Sequence, residues 1–143
     1  MKEVVFRPRA ARIFSYAMGA LVWGGLITVA IILPSTGDQA YGMGDRLLFV
    51  LLGVPIFWFC HRHASVCIKA GEKVEVRNLL KSRTLDWAEL FALRFPEGDG
   101  WAHFDLSDGT TLPVMAFQRS DGKWGIQQAK RFQELLNERT DIQ

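Results

Sequence analysis

The chain has 143 residues, is 49% hydrophobic and sets 17 Lys and Arg against 15 Asp and Glu, for a formal charge of +2. The excess sits in residues 1–63, where Lys2, Arg7, Arg9, Arg12, Arg46 and Arg62 face only Glu3, Asp38 and Asp45, while the remainder is close to neutral. A near-neutral second half excludes the clustered positive charge that a nucleic-acid backbone demands, and two cysteines, Cys60 and Cys67, exclude a disulfide framework.

Residues 13–33 contain no charged side chain. At about 1.5 Å per residue a helix of that length reaches about 30 Å, the hydrocarbon thickness of a bilayer, so the segment reads as a transmembrane helix. A basic stretch ahead of it resembles the start of a signal peptide. The run is longer than a signal core, however, and it ends in Leu33-Pro34-Ser35-Thr36-Gly37 without a small-x-small cleavage signature, so retention is expected. Within the run Ala17, Ala20, Gly24 and Thr28 recur at spacings of three and four, which puts small side chains on one face and makes them the candidate helix-packing residues.

Residues 34–44 are rich in Pro, Gly, Ser and Asp and read as a loop. The next uncharged run, 47–60, is short for a crossing, so its helix is predicted over about 43–60 with Asp45 and Arg46 at the interface, partly neutralising each other. Pro55 is expected to kink it, and a re-entrant or core helix is the alternative. Four bases precede the first run, only Arg46 lies between the two, and Arg62 and Lys69 follow, which predicts a helical hairpin with both termini cytoplasmic and reduced thiols. Tyr41 and Trp58 fit interfacial positions; Trp23, in mid-helix, does not.

After Ala64 the apolar period changes from helical to two. Residues 65–69 and 74–78 alternate apolar with polar around Ala70-Gly71-Glu72-Lys73, a hairpin signature. A third strand is predicted over 83–87 and a fourth over 89–95, with Leu90 and Ala92 on one face and Arg94 as an optional third. Residues 101–106 and 110–117 flank Ser107-Asp108-Gly109, where Asp-Gly suits a tight turn. Residues 121–139 place Ile126, Ala129, Phe132, Leu135 and Leu136 on one helical face. A strand meander followed by one amphipathic helix predicts a half-open antiparallel barrel plugged by that helix. The chain therefore divides into a membrane hairpin, 1–63, and a cytoplasmic strand-rich domain, 64–143.

The stretch from Val76 through Trp87-Ala88-Glu89-Leu90, with Asp108-Gly109, Leu112-Pro113 and Ser120-Asp121-Gly122, resembles the bacterial PH-like family typified by the low-molecular-weight protein antigens of actinobacteria. The resemblance implies two N-terminal transmembrane helices joined to a PH-like domain. It transfers no catalytic residue, and a superfold does not carry function with it. Trp87, Leu90, Phe132 and Leu136 are expected to form structural core.

Lys69 and Lys73 by the first hairpin, with Lys81 and Arg83 in the next turn, are the candidate contacts for lipid or a partner, although Glu72 and Glu75 interleave with the first pair. Cys60, His61, His63 and Cys67 gather potential metal donors at a spacing that matches no common zinc site. His103 lacks a neighbouring nucleophile, and Asp105 and Asp108 suit a turn better than acid catalysis. No phosphate loop, nucleophile elbow or metalloprotease motif is present. The expectation is a non-enzymatic membrane-anchored adaptor or accessory subunit of a membrane protein complex, with no cofactor, metal or small-molecule substrate; its partners are membrane lipid and another membrane protein. The alternative is a domain that senses anionic lipid.

Overall fold

The structure, a computed structural model, describes residues 3–36 and 40–140. Lys2, the centre of the predicted loop at 37–39 with Asp38, and residues after 140 lie outside the described residues. In chain order the elements are β1 (Val4–Phe6), α1 (Ala10–Ile32), α2 (Met43–Ala64), β2 (Cys67–Ala70), β3 (Val74–Arg77), β4 (Ser82–Leu85), β5 (Leu90–Arg94), β6 (Trp101–Leu106), β7 (Thr111–Gln118) and α3 (Gly122–Thr140). Short 3-10 turns at Trp87–Glu89 and Arg119–Asp121 precede β5 and α3. Two compact units result: a helical one, residues 12–64, and a strand-rich one that joins the residues before it to those after it.

In the helical unit α1 and α2 run 23 and 22 residues, each long and apolar enough to cross a membrane. Their most apolar windows are only 17% and 6% buried within the protein, too little for core helices of a soluble domain. The second helix is longer than predicted because it continues through Cys60-His61-Arg62-His63. The two helices meet through Trp23 and glycine. The Trp23 indole lies against Gly53, where a β-carbon would overlap its ring, and its Nε1 donates to the Val50 carbonyl at 3.1 Å. Mid-helix Trp23 is thus a packing residue of the pair, and its only polar atom is satisfied inside it. Asp45 and Arg46 do not pair as expected. Asp45 instead accepts the Gly42 N–H at 2.8 Å, and the Arg46 guanidinium donates to the carbonyls of Ala30 and Leu33 at 2.8 and 2.6 Å, satisfying the last turn of α1.

The strand-rich unit holds two antiparallel sheets, β1-β2-β3-β4 and β5-β6-β7. Its first strand lies ahead of both apolar helices, so α1 and α2 are an insertion between two hydrogen-bonded neighbours. Residues 4–6, grouped with the hairpin in the sequence reading, belong to this sheet: Phe6 is 1% exposed and packs edge-on against Phe117 and Phe132, ring centroids 5.6 Å away in each case. The sheets do not close into a barrel. Phe132 of α3 fills the gap among Phe6, Trp87, Phe104 and Phe117, with Leu136 buried beside it. Trp87 stacks on Phe132 and donates its indole N–H to the Gly71 carbonyl at 3.0 Å, and Leu90 is buried next to it.

In β5 the predicted alternation fails. A bulge between Leu90 and Ala92 adds a residue, so Leu93 packs on the core while Arg94 stays exposed and holds Asp105 of β6. Gly109 adopts φ 81°, as the Asp-Gly turn requires.

Candidate functional site

Strand register decides which side chains share an end of the first sheet. Phe6 lies opposite Ile68, Cys67 opposite Arg77, and Arg77 opposite Ser82. The end from which the chain leaves β1 for α1, and at which it returns from α2 into β2, therefore also carries the β3–β4 turn at 78–81. The β2–β3 turn at 71–73 lies at the other end, where Ala70 pairs with both Val4 and Val74.

This separates the four candidate bases. Lys69 and Lys73 lie toward the far end, and both are engaged: Lys69 Nζ is 3.1 Å from Glu75, and Lys73 Nζ is 3.0 Å from Asp86. The Glu75 hydrogen bond and its charge hold the Lys69 ammonium above its ordinary pKa. Lys81 and Arg83 stand at the near end, exposed, and neither forms an ion pair among the described residues.

The turn between them is rigidly built. Asn78 N–H donates to the Lys81 carbonyl at 2.9 Å and closes it. The Asn78 side chain reaches across to the neighbouring sheet, its amide donating to the Pro113 carbonyl at 2.6 Å while its oxygen accepts the Met115 N–H at 3.1 Å. One side chain thereby stands in for a missing strand along β7. Leu80 at the tip is 75% exposed, and an apolar groove of about 480 Å³ runs from it over Trp101, Leu112, Pro113 and Met115.

The other candidates resolve differently. Ala17, Ala20, Gly24 and Thr28 are exposed on the face of α1 opposite Gly19 and Trp23, and a β-carbon at Gly24 would meet nothing within 4 Å. His61 and His63 bond hydroxyls of α1, Tyr16 at 3.1 Å and Ser15 at 2.7 Å. Cys60 and Cys67 are free thiols, and no group of three or more metal-ligating side chains forms among the described residues. His103 Nε2 lies 2.9 Å from Asp99 Oδ2, an ion pair only when the imidazole is protonated. Asp108 accepts the Thr110 hydroxyl and N–H at 2.6 and 2.8 Å, which hold its carboxyl below the usual range. Arg94 does the same to Asp105 through a two-pronged hydrogen bond. Glu89 accepts the Asp86 N–H at 2.7 Å and is structural.

Sequence reasoning named Asp121 only at the start of the last helix and missed its partners: its carboxylate accepts the N–H groups of Arg9 and Ala10 at 3.0 and 2.6 Å, and Arg9 stacks 3.5 Å over the Trp124 ring. These contacts join positions more than 110 residues apart, and no local spacing signals them.

Comparison with known proteins agrees with this architecture. A family model described as a bacterial PH domain matches residues 69–131. Uncharacterized proteins of Mycobacterium tuberculosis and Mycobacterium bovis are 30% identical over 121 residues, covering 83% of this chain and 79% of theirs. No solved structure matches significantly.

Proposed function

Because this chain belongs to the bacterial PH domain family and carries two apolar helices between the first two strands of its PH-like domain, we propose that it is a non-enzymatic, membrane-anchored adaptor or accessory subunit of a membrane protein complex. That insertion is the observation on which the reading rests. Helices so apolar and so little covered by protein need lipid as solvent. The pairing of β1 with β2 in one sheet supports an inserted segment whose two ends lie on one side of the membrane and which crosses it twice. The bases before α1 and after α2 make that side cytoplasmic. A cleaved leader would also remove β1 and its buried Phe6, which supports retention of the first helix.

A domain held by two spans gains no localisation from reversible headgroup affinity, so its free surface is best used on a protein. The small-residue face at Ala17, Ala20, Gly24 and Thr28 points away from α2 and suits close approach by a helix of that partner. A photocrosslinking residue at Gly24, in native membranes, should capture one discrete membrane protein, whereas the same residue at Phe57, inside the hairpin, should not. Only lipid adducts at Gly24, together with a solitary chain in mild detergent, would remove the adaptor reading.

Lipid sensing is the second reading, and what favours it is confined to Lys81 and Arg83. Lys69 and Lys73 already have carboxylate partners, which leaves them poorly placed to read a headgroup.

A further inference from the structure

We propose that the groove between the β3–β4 turn and β7 is a docking site for a short segment of a partner protein in which large apolar side chains stand next to carboxylates. The apolar groups enter the groove, and Lys81 and Arg83 take the carboxylates. The inference rests on the adaptor reading and gives the chemistry of the protein that is bound; every residue it uses belongs to the strand-rich unit.

Register creates the groove. Val76 and Leu85 are buried on the inner face of the first sheet, and Arg83 stands opposite Val76 and two residues before Leu85, so its side chain leaves that same face. Yet Arg83 is exposed. The second sheet therefore does not cover this end, and the two layers gape there. Asn78, which closes the turn against Lys81, bridges the gap through its side-chain bonds to Pro113 and Met115 of β7. Beside that bridge lies the groove of about 480 Å³, with Leu80 and Lys81 on one wall and Trp101, Leu112, Pro113 and Met115 on the other.

Charge, backbone and shape together select the occupant. Neither Lys81 nor Arg83 forms an ion pair among the described residues, whereas the acids of the second sheet are engaged: Asp108, whose charge reaches Arg83, accepts from Thr110, Asp105 is held by Arg94, and Asp99 lies against His103. Carboxylates brought by a partner complement the two bases. Asn78 already occupies the β7 edge at Pro113 and Met115, so an incoming strand cannot extend the second sheet there and recognition passes through side chains. A flat bilayer would meet the Leu80 tip without reaching the recessed floor at Pro113 and Met115, while a single chain segment reaches both. The Asn78 bridge fixes the walls beforehand, so little ordering is needed on binding.

The test pans a displayed library of random dodecapeptides against the full chain in phosphatidylcholine nanodiscs and measures the affinity of the enriched peptides by fluorescence anisotropy. They should carry Leu, Phe or Trp beside Asp or Glu. Lys81→Gln and Arg83→Gln should each weaken binding about twofold to fivefold, and added salt should weaken it further. Leu80→Ser, at an exposed turn tip where folding is not at stake, should cost about tenfold, and Lys130→Gln on α3 should change nothing. A peptide with Lys in place of its acids should recover binding to the chain that carries both Lys81→Glu and Arg83→Glu. No enrichment, enriched peptides without acids, or equal binding by the Leu80→Ser and parent chains overturns the groove and leaves the adaptor reading standing, since that reading falls on the crosslinking result at Gly24. Loss of the peptide signal when phosphatidylglycerol is added to the nanodiscs assigns the bases to lipid and overturns the groove as well.

Discussion

Phe6→Ala should unfold the strand-rich unit at a much lower denaturant concentration. The ring is 1% exposed, lies between Phe117 and Phe132, and sits on an edge strand of three residues whose attachment depends on it. Truncating a buried Phe to Ala costs about 3–5 kcal/mol, against a total stability of about 5–15 kcal/mol for an ordinary domain. With a urea slope of about 1–2 kcal/mol/M, the midpoint should fall by roughly 1.5–5 M. Near-UV circular dichroism of the full chain in mild detergent follows the Phe and Trp cluster while the apolar helices stay in the micelle. Val5→Ala is the control: its side chain is 42% exposed on the same strand, and it should move the midpoint little. The same logic predicts that a chain starting at Ser65 fails to fold, whereas one in which a short flexible linker replaces residues 12–64 retains β1 and folds. Equal midpoints for the two point variants, or a native spectrum from the chain starting at Ser65, would refute the placement of β1 in the core.

Gly53→Ala should separate or shift α1 and α2, because the new methyl occupies the Trp23 ring position, and overpacking of this kind costs about 1–3 kcal/mol. Adding Trp23→Leu should recover part of the loss in thermal midpoint measured in detergent; an unchanged midpoint for Gly53→Ala alone would place the helix contact elsewhere. Asp105 and Asp108 have folded-state pKa values lowered by Arg94 and Thr110, respectively, so the stability they contribute is fully present above the unfolded value of about 3.9 and is lost as pH falls through the lower folded value. Acid titration of Asp105→Asn, followed by circular dichroism, should show lower stability at neutral pH and a shallower loss below about pH 4 than the parent chain. Parallel acid curves would show that the Arg94 contact contributes nothing.

Much of the architecture is local and hence legible in the residues alone. Uncharged runs at 13–33 and 47–60, alternation from Ser65 onward, Asp108-Gly109 and the apolar stripe ending at Leu136 each specify an element through near neighbours, because helix and strand periods are properties of consecutive residues. The Trp87-Ala88-Glu89-Leu90 core and the terminal helix that covers it were readable for the same reason. Val4–Phe6 was not. Three residues are too few to display a period, and they become a strand only because β2, more than 60 positions later, supplies the hydrogen bonds. The bulge after Leu90 was also hidden, since one extra residue shifts the alternation without altering composition.

Charge and residue type determined which side chains were worth considering, and Lys69, Lys73, Lys81 and Arg83 looked alike on that basis. Only the fold divided them, because antiparallel pairing reverses direction at every turn and sends successive turns to opposite ends of the sheet. Glu75 and Asp86 then took up the lysines at one end and left Lys81, Arg83 and the exposed Leu80 at the other. A sequence orders its residues along a line, whereas the end of a sheet that each residue reaches depends on how that line folds back on itself.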